Sequence, residues 1–455
     1  MLSVVILAAG RGTRMRSAWP KVLHSVGGRP MLGRVIDTAR DLDPESIYIV
    51  HGAGGEAVRD AFPDDDLEWV EQPEQLGTGD AVKAALPRIP DAHRVLVLCA
   101  DVPLVTPETL SRLLATAGDN PALLTINMDN PTGYGRILRD ATGQVAGIVE
   151  EKDAQEHQKA IREINTGLMV LPAGPLRLWL DGLCSDNAQG EYYLTDVVGL
   201  ARRDGISVHA VTTHDLAEVQ GINNRAQLAV VERAWQSRAA HALMHDGVTL
   251  LDPDRFDLRG RITAGSDCVI DANVVIEGEV TLGKAVEIGP GCVIRDSTLE
   301  DGVQLGPHTL VEGAHLRAGA QAGPFARLRE GTELGNDARI GNFVETKATR
   351  IGRGSKANHL SYLGDARIGD RVNIGAGTIT CNYDGRAKHT TVIEDGAFIG
   401  SDTQLVAPVT VGRNATIGAG TSLRRDAPAN ALTVGAARQR TVPGWSRGES
   451  DSGQA

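Results

Sequence analysis

The chain has 455 residues, which at about 150 residues per domain implies two or three domains and excludes one compact core. Its 46 Lys and Arg against 58 Asp and Glu leave a net charge of −12, so broad attraction to nucleic acid or an anionic membrane is excluded, and any phosphate must be held by a local site. With 42% hydrophobic and 23% charged residues wholesale disorder is excluded too, while 4% aromatic residues and 53 glycines suggest small aliphatic cores and many tight turns.

From residue 1 to about 225, short apolar runs alternate with helical spacing. Val4–Leu7, Ser46–Val50 and Val95–Leu98 each read as a buried parallel strand, with Pro30–Leu42 and Gly79–Leu86 as helices between them. Open α/β sheets bind ligands at the carboxyl ends of their strands, so the loops from Ala8 and from Cys99 are the ones to inspect. Residues 226–246 carry Leu228, Val231, Trp235, Ala239 and Leu243 at helical steps and predict one connecting helix, leaving 247–455 as a second domain.

After Asp252-Pro253 the period becomes six, through Ile270, Ile276, Leu282, Ile288 and Ile294, then Leu328, Leu334 and Ile340, then Ile399, Leu405, Val411, Ile417 and Leu423. Glycine often follows, as in Leu282-Gly283 and Val411-Gly412. This period fits a solenoid with short flat sides, an inward aliphatic residue on each, and tight corners. Three hexads per coil give about nine turns over 260–425, a prism ~40 Å long. The period breaks over Thr380–Thr390, which predicts a projecting loop, and Gly444–Ala455 reads as a disordered tail. The five cysteines (Cys99, Cys184, Cys268, Cys292, Cys381) form no C-x-x-C pair, and no basic segment precedes the first apolar run. With no run near ~18 apolar residues, a cytoplasmic, non-membrane protein is expected.

The first strand leads into Leu7-Ala8-Ala9-Gly10-Arg11-Gly12-Thr13-Arg14-Met15, followed by Pro20-Lys21. Small residues let backbone N–H groups approach a phosphate, and Arg14 and Lys21 can neutralise a triphosphate, although the spacing is neither a Walker loop nor a dinucleotide fingerprint. This motif resembles the sugar-phosphate nucleotidyltransferases, and Gln72-Pro73-Glu74-Gln75-Leu76-Gly77-Thr78 resembles their uridylyltransferase branch. Together with the hexads, residues 2–445 resemble the bacterial bifunctional N-acetylglucosamine-1-phosphate uridylyltransferase / glucosamine-1-phosphate N-acetyltransferase family. The resemblance implies an α/β fold with an N-terminal Rossmann-like nucleotidyltransferase domain (1–225), a helical linker (226–246) and a C-terminal left-handed parallel β-helix (247–455). It implies a homotrimer and small-molecule substrates: UTP, N-acetylglucosamine 1-phosphate, glucosamine 1-phosphate and acetyl-CoA.

For the first reaction the resemblance places Leu7, Ala8, Ala9, Gly10, Lys21, Gln72, Gly77 and Thr78 on the nucleotide, and the Gln72 amide suits a uracil edge. Asp101 and Asn223 would hold Mg²⁺, an all-oxygen pairing suited to a hard cation, and Gly135, Glu150, Asn165 and Asn223 would contact sugar and product. Cys99-Ala100 stands before Asp101 where the family usually has an aromatic-Gly pair. A phosphate oxygen of the sugar phosphate would attack the α-phosphorus of UTP, with Mg²⁺, Arg14 and Lys21 offsetting charge.

In the solenoid Arg329 and Lys347 are eighteen residues apart, one coil, and so stack; stacked like charges call for an anion between them, and the family assigns both to the sugar phosphate. His359 is the candidate general base for the attacking amine. The resemblance adds Tyr362 and Asn373 on the amino sugar, and Ala376, Asn382, Tyr383, Ser401 and Ala419 on acetyl-CoA. A further family arginine falls on Ala436, with Arg438 and Arg440 close by. Two rival readings make the solenoid a structural module of a monofunctional pyrophosphorylase or a pure oligomerisation scaffold.

Overall fold

A computed structural model describes residues 1–10, 12–52, 55–435, 439 and 441–445. Arg11, Ala436, Arg438, Arg440 and the tail from residue 446 lie outside the described residues. The chain divides into two compact units, Met1–Ala239 and Ala240–Ala455.

In the first unit, strands β1 (Leu2–Leu7), β2 (Ser46–Gly52), β3 (Leu67–Gln72), β4 (Arg94–Cys99), β5 (Ala122–Asn127), β6 (Arg136–Arg139), β7 (Val145–Val149), β8 (Glu163–Pro172) and β9 (His209–Thr213) form one sheet. Seven of them run β9-β5-β8-β4-β1-β2-β3, and β6 and β7 extend it beside β8. Pairings along this path are parallel except those of β8, which is antiparallel to both β4 and β5. Side-chain alternation in β1 divides the core between the two faces of the sheet: Val4 and Ile6 pack in one cluster with helix α1 (Met31–Arg40), and Val5 in another with helix α2 (Thr78–Ala85). Helix α3 (Pro107–Ala117) follows β4, capped by Thr106, whose hydroxyl accepts from Thr109 N.

The connecting helix is α4 (Arg225–His245), and the boundary between units falls within it. Val231, Ala239, Ala240 and Leu243 are buried; Leu228 and Trp235 pack against a small cluster with Met15, Met31 and Ile222.

The second unit is a left-handed parallel β-helix. One side stacks eleven short strands from Thr249–Leu250 to Leu432–Thr433, and a seventeen-stranded sheet forms the other sides. Eleven rungs at about 4.8 Å span about 48 Å, longer than the hexads predict. The stack opens at Thr249–Leu250, ahead of the regular period, and closes on Leu432–Thr433, where Leu432 is exposed and leaves no inward aliphatic signal. Ile270 pairs with Ile288, and Ile276 with Ile294, all four buried, as the period requires. Asn273, Asp337 and Asp402 take positive φ at corners. The glycine after an aliphatic residue has a steric cause: a Cβ on Gly412 would lie 2.5 Å from Ala429 N of the next rung.

Candidate active sites

Each unit carries one constellation. In the first, β1 ends between its neighbours, with Leu7 beside Val50 and Cys99, and Ala8 N bonds Val50 O at 2.8 Å. The chain then folds back on Lys21: Gly12 has φ +61°, and a Cβ there would meet Lys21 Cβ at 2.6 Å, so only glycine permits the approach. Nothing lies within 4 Å of the place a Gly10 Cβ would take, which leaves room for a ligand.

Four residues separated by up to 209 positions meet here. Lys21 Nζ lies 2.5 Å from Asp101 Oδ2 and 3.1 Å from Asn223 Oδ1, and Arg14 Nη2 donates to Asn223 Oδ1 at 2.9 Å. Backbone pairing of Ile222 N with Asp101 O, at 2.9 Å, aligns the two loops. Asp101 and Asn223 thus direct oxygens at one point, where the Lys21 ammonium stands in for a cation. This donor set fits Mg²⁺, which binds few protein oxygens and keeps water and phosphate oxygens for the rest of its shell. Among the described residues no group of three or more His, Cys, Asp or Glu could hold a metal by itself.

Gln72 is buried at the end of β3, and its Nε2 donates to Gly77 O at 3.1 Å and Asp80 Oδ2 at 2.7 Å. Both amide hydrogens are committed, so its carbonyl oxygen is the group available to a ligand. Gly77 has φ +125°, and its Cβ would clash with Tyr192 O at 2.5 Å; Thr78 Oγ1 accepts from Leu194 N. Gln75 Nε2 bonds Ala9 O at 2.6 Å, which brings this loop to the first one.

On the sugar side, Asn165 N donates to Gly135 O, and a Cβ on Gly135 would lie 3.4 Å from both Glu150 oxygens. Burial holds the Glu150 carboxyl above its ordinary range; a hydrogen bond from Thr195 opposes this, while Asp196, Asp153 and Glu191 add to it. Burial, with Asp101 adding, also raises Tyr134 and pushes the Cys99 thiol up to about 12. Ala100 packs into the hydrophobic core, and its contribution to the loop is its N–H, 3.1 Å from Leu7 O.

In the second unit, register places Leu328 opposite Thr346, and hence Arg329 beside Lys347 in a cavity of about 480 Å³ that also reaches Arg295 and Arg327. Arg329 Nη1 pairs with Glu345 Oε1 at 2.8 Å, and Tyr362 stacks on Glu345. Lys388, within hydrogen-bonding reach, holds the Lys347 ammonium below the ordinary lysine range; burial and Arg329 add, and Asp365 opposes. Sequence reasoning missed Lys388, which the projecting loop delivers; its lysine beside the Asn382-Tyr383 signal is the only trace.

His359 is exposed, with Nδ1 2.8 Å from Asn342 Oδ1 one rung away. The ring proton on Nδ1 donates to Asn342, leaving Nε2 as the acceptor. Asn342, also missed, lies seventeen residues before His359, and rung spacing would have found it. Backbone bonds from Gly377 to Leu360, Asp402 to Ala376 and Gly420 to Ser401 stack His359, Ala376, Ser401 and Ala419 in one column. Asn373 lies on the same eleven-stranded side, three residues before Ala376, and is paired with Lys356 and Phe398. Asn382 bonds Asp365, and Tyr383 is exposed and bridged to Lys388 across the turn of the loop. Asp384 turns the loop by accepting from Arg386 N, Ala387 N and His389 Nε2, bonds that hold its carboxyl far below the ordinary range. Among the described residues no hydrogen bond joins His359 to the Arg329, Lys347 and Lys388 group.

Comparison with known proteins bears on both units. Residues 4–163 match the MobA-like NTP transferase domain, 258–353 the GMPPB C-terminal domain, and 390–425 the bacterial transferase hexapeptide (six repeats). The chain is 60% identical over 446 residues to "Bifunctional protein GlmU" of Alkalilimnicola ehrlichii, covering 98% of this chain and 96% of that protein. It is 55% identical to the protein of the same name from Azoarcus sp. and 56% to that of Stutzerimonas stutzeri, each over 447 residues, 98% of this chain and 99% of the relative. Among the described residues no helix is long and apolar enough to cross a membrane.

Proposed function

The chain belongs to the family of bifunctional GlmU proteins, and from that premise we propose how its residues divide the two reactions. It acetylates glucosamine 1-phosphate with acetyl-CoA and transfers UMP from UTP to N-acetylglucosamine 1-phosphate, releasing pyrophosphate. The monofunctional and scaffold readings of the solenoid fall with that membership. The observation that carries the division is that each unit holds its own constellation, Arg14–Lys21–Asp101–Asn223 in one and the His359 column in the other.

In uridylyl transfer, Asp101 and Asn223 are the residues to hold Mg²⁺, which when bound supplies positive charge to the phosphates. Arg14 and Lys21 bring cationic groups to the triphosphate, and the loop Leu7–Gly10 offers backbone N–H groups. Gln72, Gly77 and Thr78 orient the base; Gly135, Glu150 and Asn165 orient the sugar. A phosphate oxygen of N-acetylglucosamine 1-phosphate forms the new P–O bond at the α-phosphorus as the bond to pyrophosphate breaks. Asp101→Ala is expected to abolish uridylyl transfer and spare acetyl transfer; uridylyl transfer at the parental rate with Mg²⁺ would exclude the ligand role.

In acetyl transfer, Arg329, Lys347 and Lys388 hold the sugar phosphate, with Tyr362 and Asn373 on the sugar. The amine nitrogen bonds to the thioester carbonyl carbon as His359 Nε2 takes a proton from it; the C–S bond then breaks, and the same proton passes from His359 to the departing sulfur, so that CoA leaves as the thiol. Ala376, Ser401 and Ala419 line the coenzyme along the column, with Asn382 and Tyr383 at the loop. The assembly proposed is the homotrimer that the family resemblance implies, with the acetyl site at the boundary between subunits. The five free cysteines suit a reducing cytoplasm. His359→Ala should lower acetyl transfer by about 10²–10⁴-fold and leave uridylyl transfer intact; loss of both in folded protein would refute the division.

A further inference from the structure

Glu218 is buried, yet among the described residues no cation pairs with it. Its carboxylate is bonded by hydroxyls alone. Oε1 accepts from Thr106 Oγ1 at 2.7 Å and from Thr109 Oγ1 at 3.2 Å; Oε2 accepts from Thr109 Oγ1 at 3.0 Å and Thr213 Oγ1 at 3.0 Å. Thr109 and Thr213 are themselves buried. A buried carboxylate without a counter-charge is an expensive bridge, eased here only by these bonds and by the amino end of α3, where Thr106 is the cap. Three hydroxyls, with the single Thr109 O–H shared between the two oxygens, fix its position more narrowly than one neutral contact would.

The position matters because of what these elements carry. Thr106 closes the loop that opens at Asp101, and Glu218 stands five residues before Asn223. The same two loops are tied again by Ile222 N on Asp101 O at 2.9 Å, and by Arg238, whose Nη1 reaches Leu104 O and whose Nη2 reaches Asp215 Oδ2, each at 2.7 Å. Free sliding of one loop past the other would separate Asp101 Oδ2 from Asn223 Oδ1, the two oxygens that converge on Lys21 Nζ.

We propose that Glu218 is a positioning residue for uridylyl transfer: its carboxylate clamps the loop from Asp101 to Thr106 onto the segment from Thr213 to Asn223 and so sets the distance between the two cation-binding oxygens. This rests on the reading of Asp101 and Asn223 as Mg²⁺ ligands. Glu218 touches no substrate; it acts through the loops.

The test is Mn²⁺ titration of the full chain in the presence of UDP-N-acetylglucosamine, followed by electron paramagnetic resonance, for the parent, D101A, E218A and T109V. Removing an outer partner of a metal site typically costs about 10–100-fold in affinity, so E218A should raise the Mn²⁺ dissociation constant at least about tenfold. T109V is isosteric and spares the α3 cap; losing one hydroxyl of three, it should raise the constant about threefold. The Mg²⁺ concentration for half-maximal uridylyl transfer should rise in step, with acetyl transfer unchanged. Parental Mn²⁺ affinity in D101A would remove the ligand reading itself. Loss of Mn²⁺ binding in D101A with parental affinity in folded E218A would overturn the clamp alone. Should E218A not fold, T109V decides: a lowered melting temperature with parental Mn²⁺ affinity would make Glu218 merely structural.

Discussion

Asn342 Oδ1 and His359 Nδ1 lie 2.8 Å apart on neighbouring rungs, so the orientation of the proposed base is set by the stacking of the prism. Asn342→Ala frees the ring to rotate. Acetyl transfer should fall on the order of tenfold, the worth of one good hydrogen bond, with uridylyl transfer unchanged. Thiol release from acetyl-CoA measures the first, pyrophosphate release the second. An unaltered acetyl-transfer rate would make the contact incidental.

Lys388 depresses Lys347, which therefore loses its charge at a lower pH than an ordinary lysine. Affinity for glucosamine 1-phosphate should weaken as pH rises through that depressed value. Lys388→Ala removes the main cause, so KM should increase at neutral pH while its alkaline limb moves to higher pH. A KM–pH profile for both proteins reads the two effects separately.

Glu150 has the opposite sense. Its folded-state carboxyl holds its proton more tightly than the unfolded one, so ionisation costs stability as pH rises through the ordinary carboxyl range and on to the raised folded value. Glu150→Gln removes that cost. Its melting temperature should exceed the parent's at pH 7 and converge with it below about pH 4, while KM for N-acetylglucosamine 1-phosphate rises.

Cys99 tests the polarity of the nucleotide pocket. With its thiol pushed up to about 12, only about one molecule in ten thousand carries a thiolate there at pH 8. Iodoacetamide should label the exposed Cys184 well before Cys99, and uridylyl transfer should survive that labelling. Peptide mass spectrometry with parallel activity assays gives the order.

The parts of this fold that repeat a physical constraint are the parts the sequence displays. Ile270, Ile288 and their successors point inward once per side, so their period is visible without coordinates. The last rung escapes because Leu432 faces outward and obeys no such rule. At the sites, Lys21 and Asp101 stand in motifs, but nothing local marks Asn342, a polar residue within an ordinary Ile340-Gly341-Asn342 run; only rung register relates it to His359. Glu218 is hidden more deeply still, because nothing within Leu216-Ala217-Glu218-Val219 marks it and only the fold brings Thr106, Thr109 and Thr213 onto it.

The column from His359 through Ala376 and Ser401 to Ala419 advances by one strand spacing per coil, about 4.8 Å. Length along this edge is therefore quantised. A coil duplicated between His359 and Ala376 would keep its aliphatic interior intact and shift every later contact by a whole increment, so the reach of an acyl carrier laid along the edge is counted in turns of chain, and evolution can lengthen or shorten it only in those units.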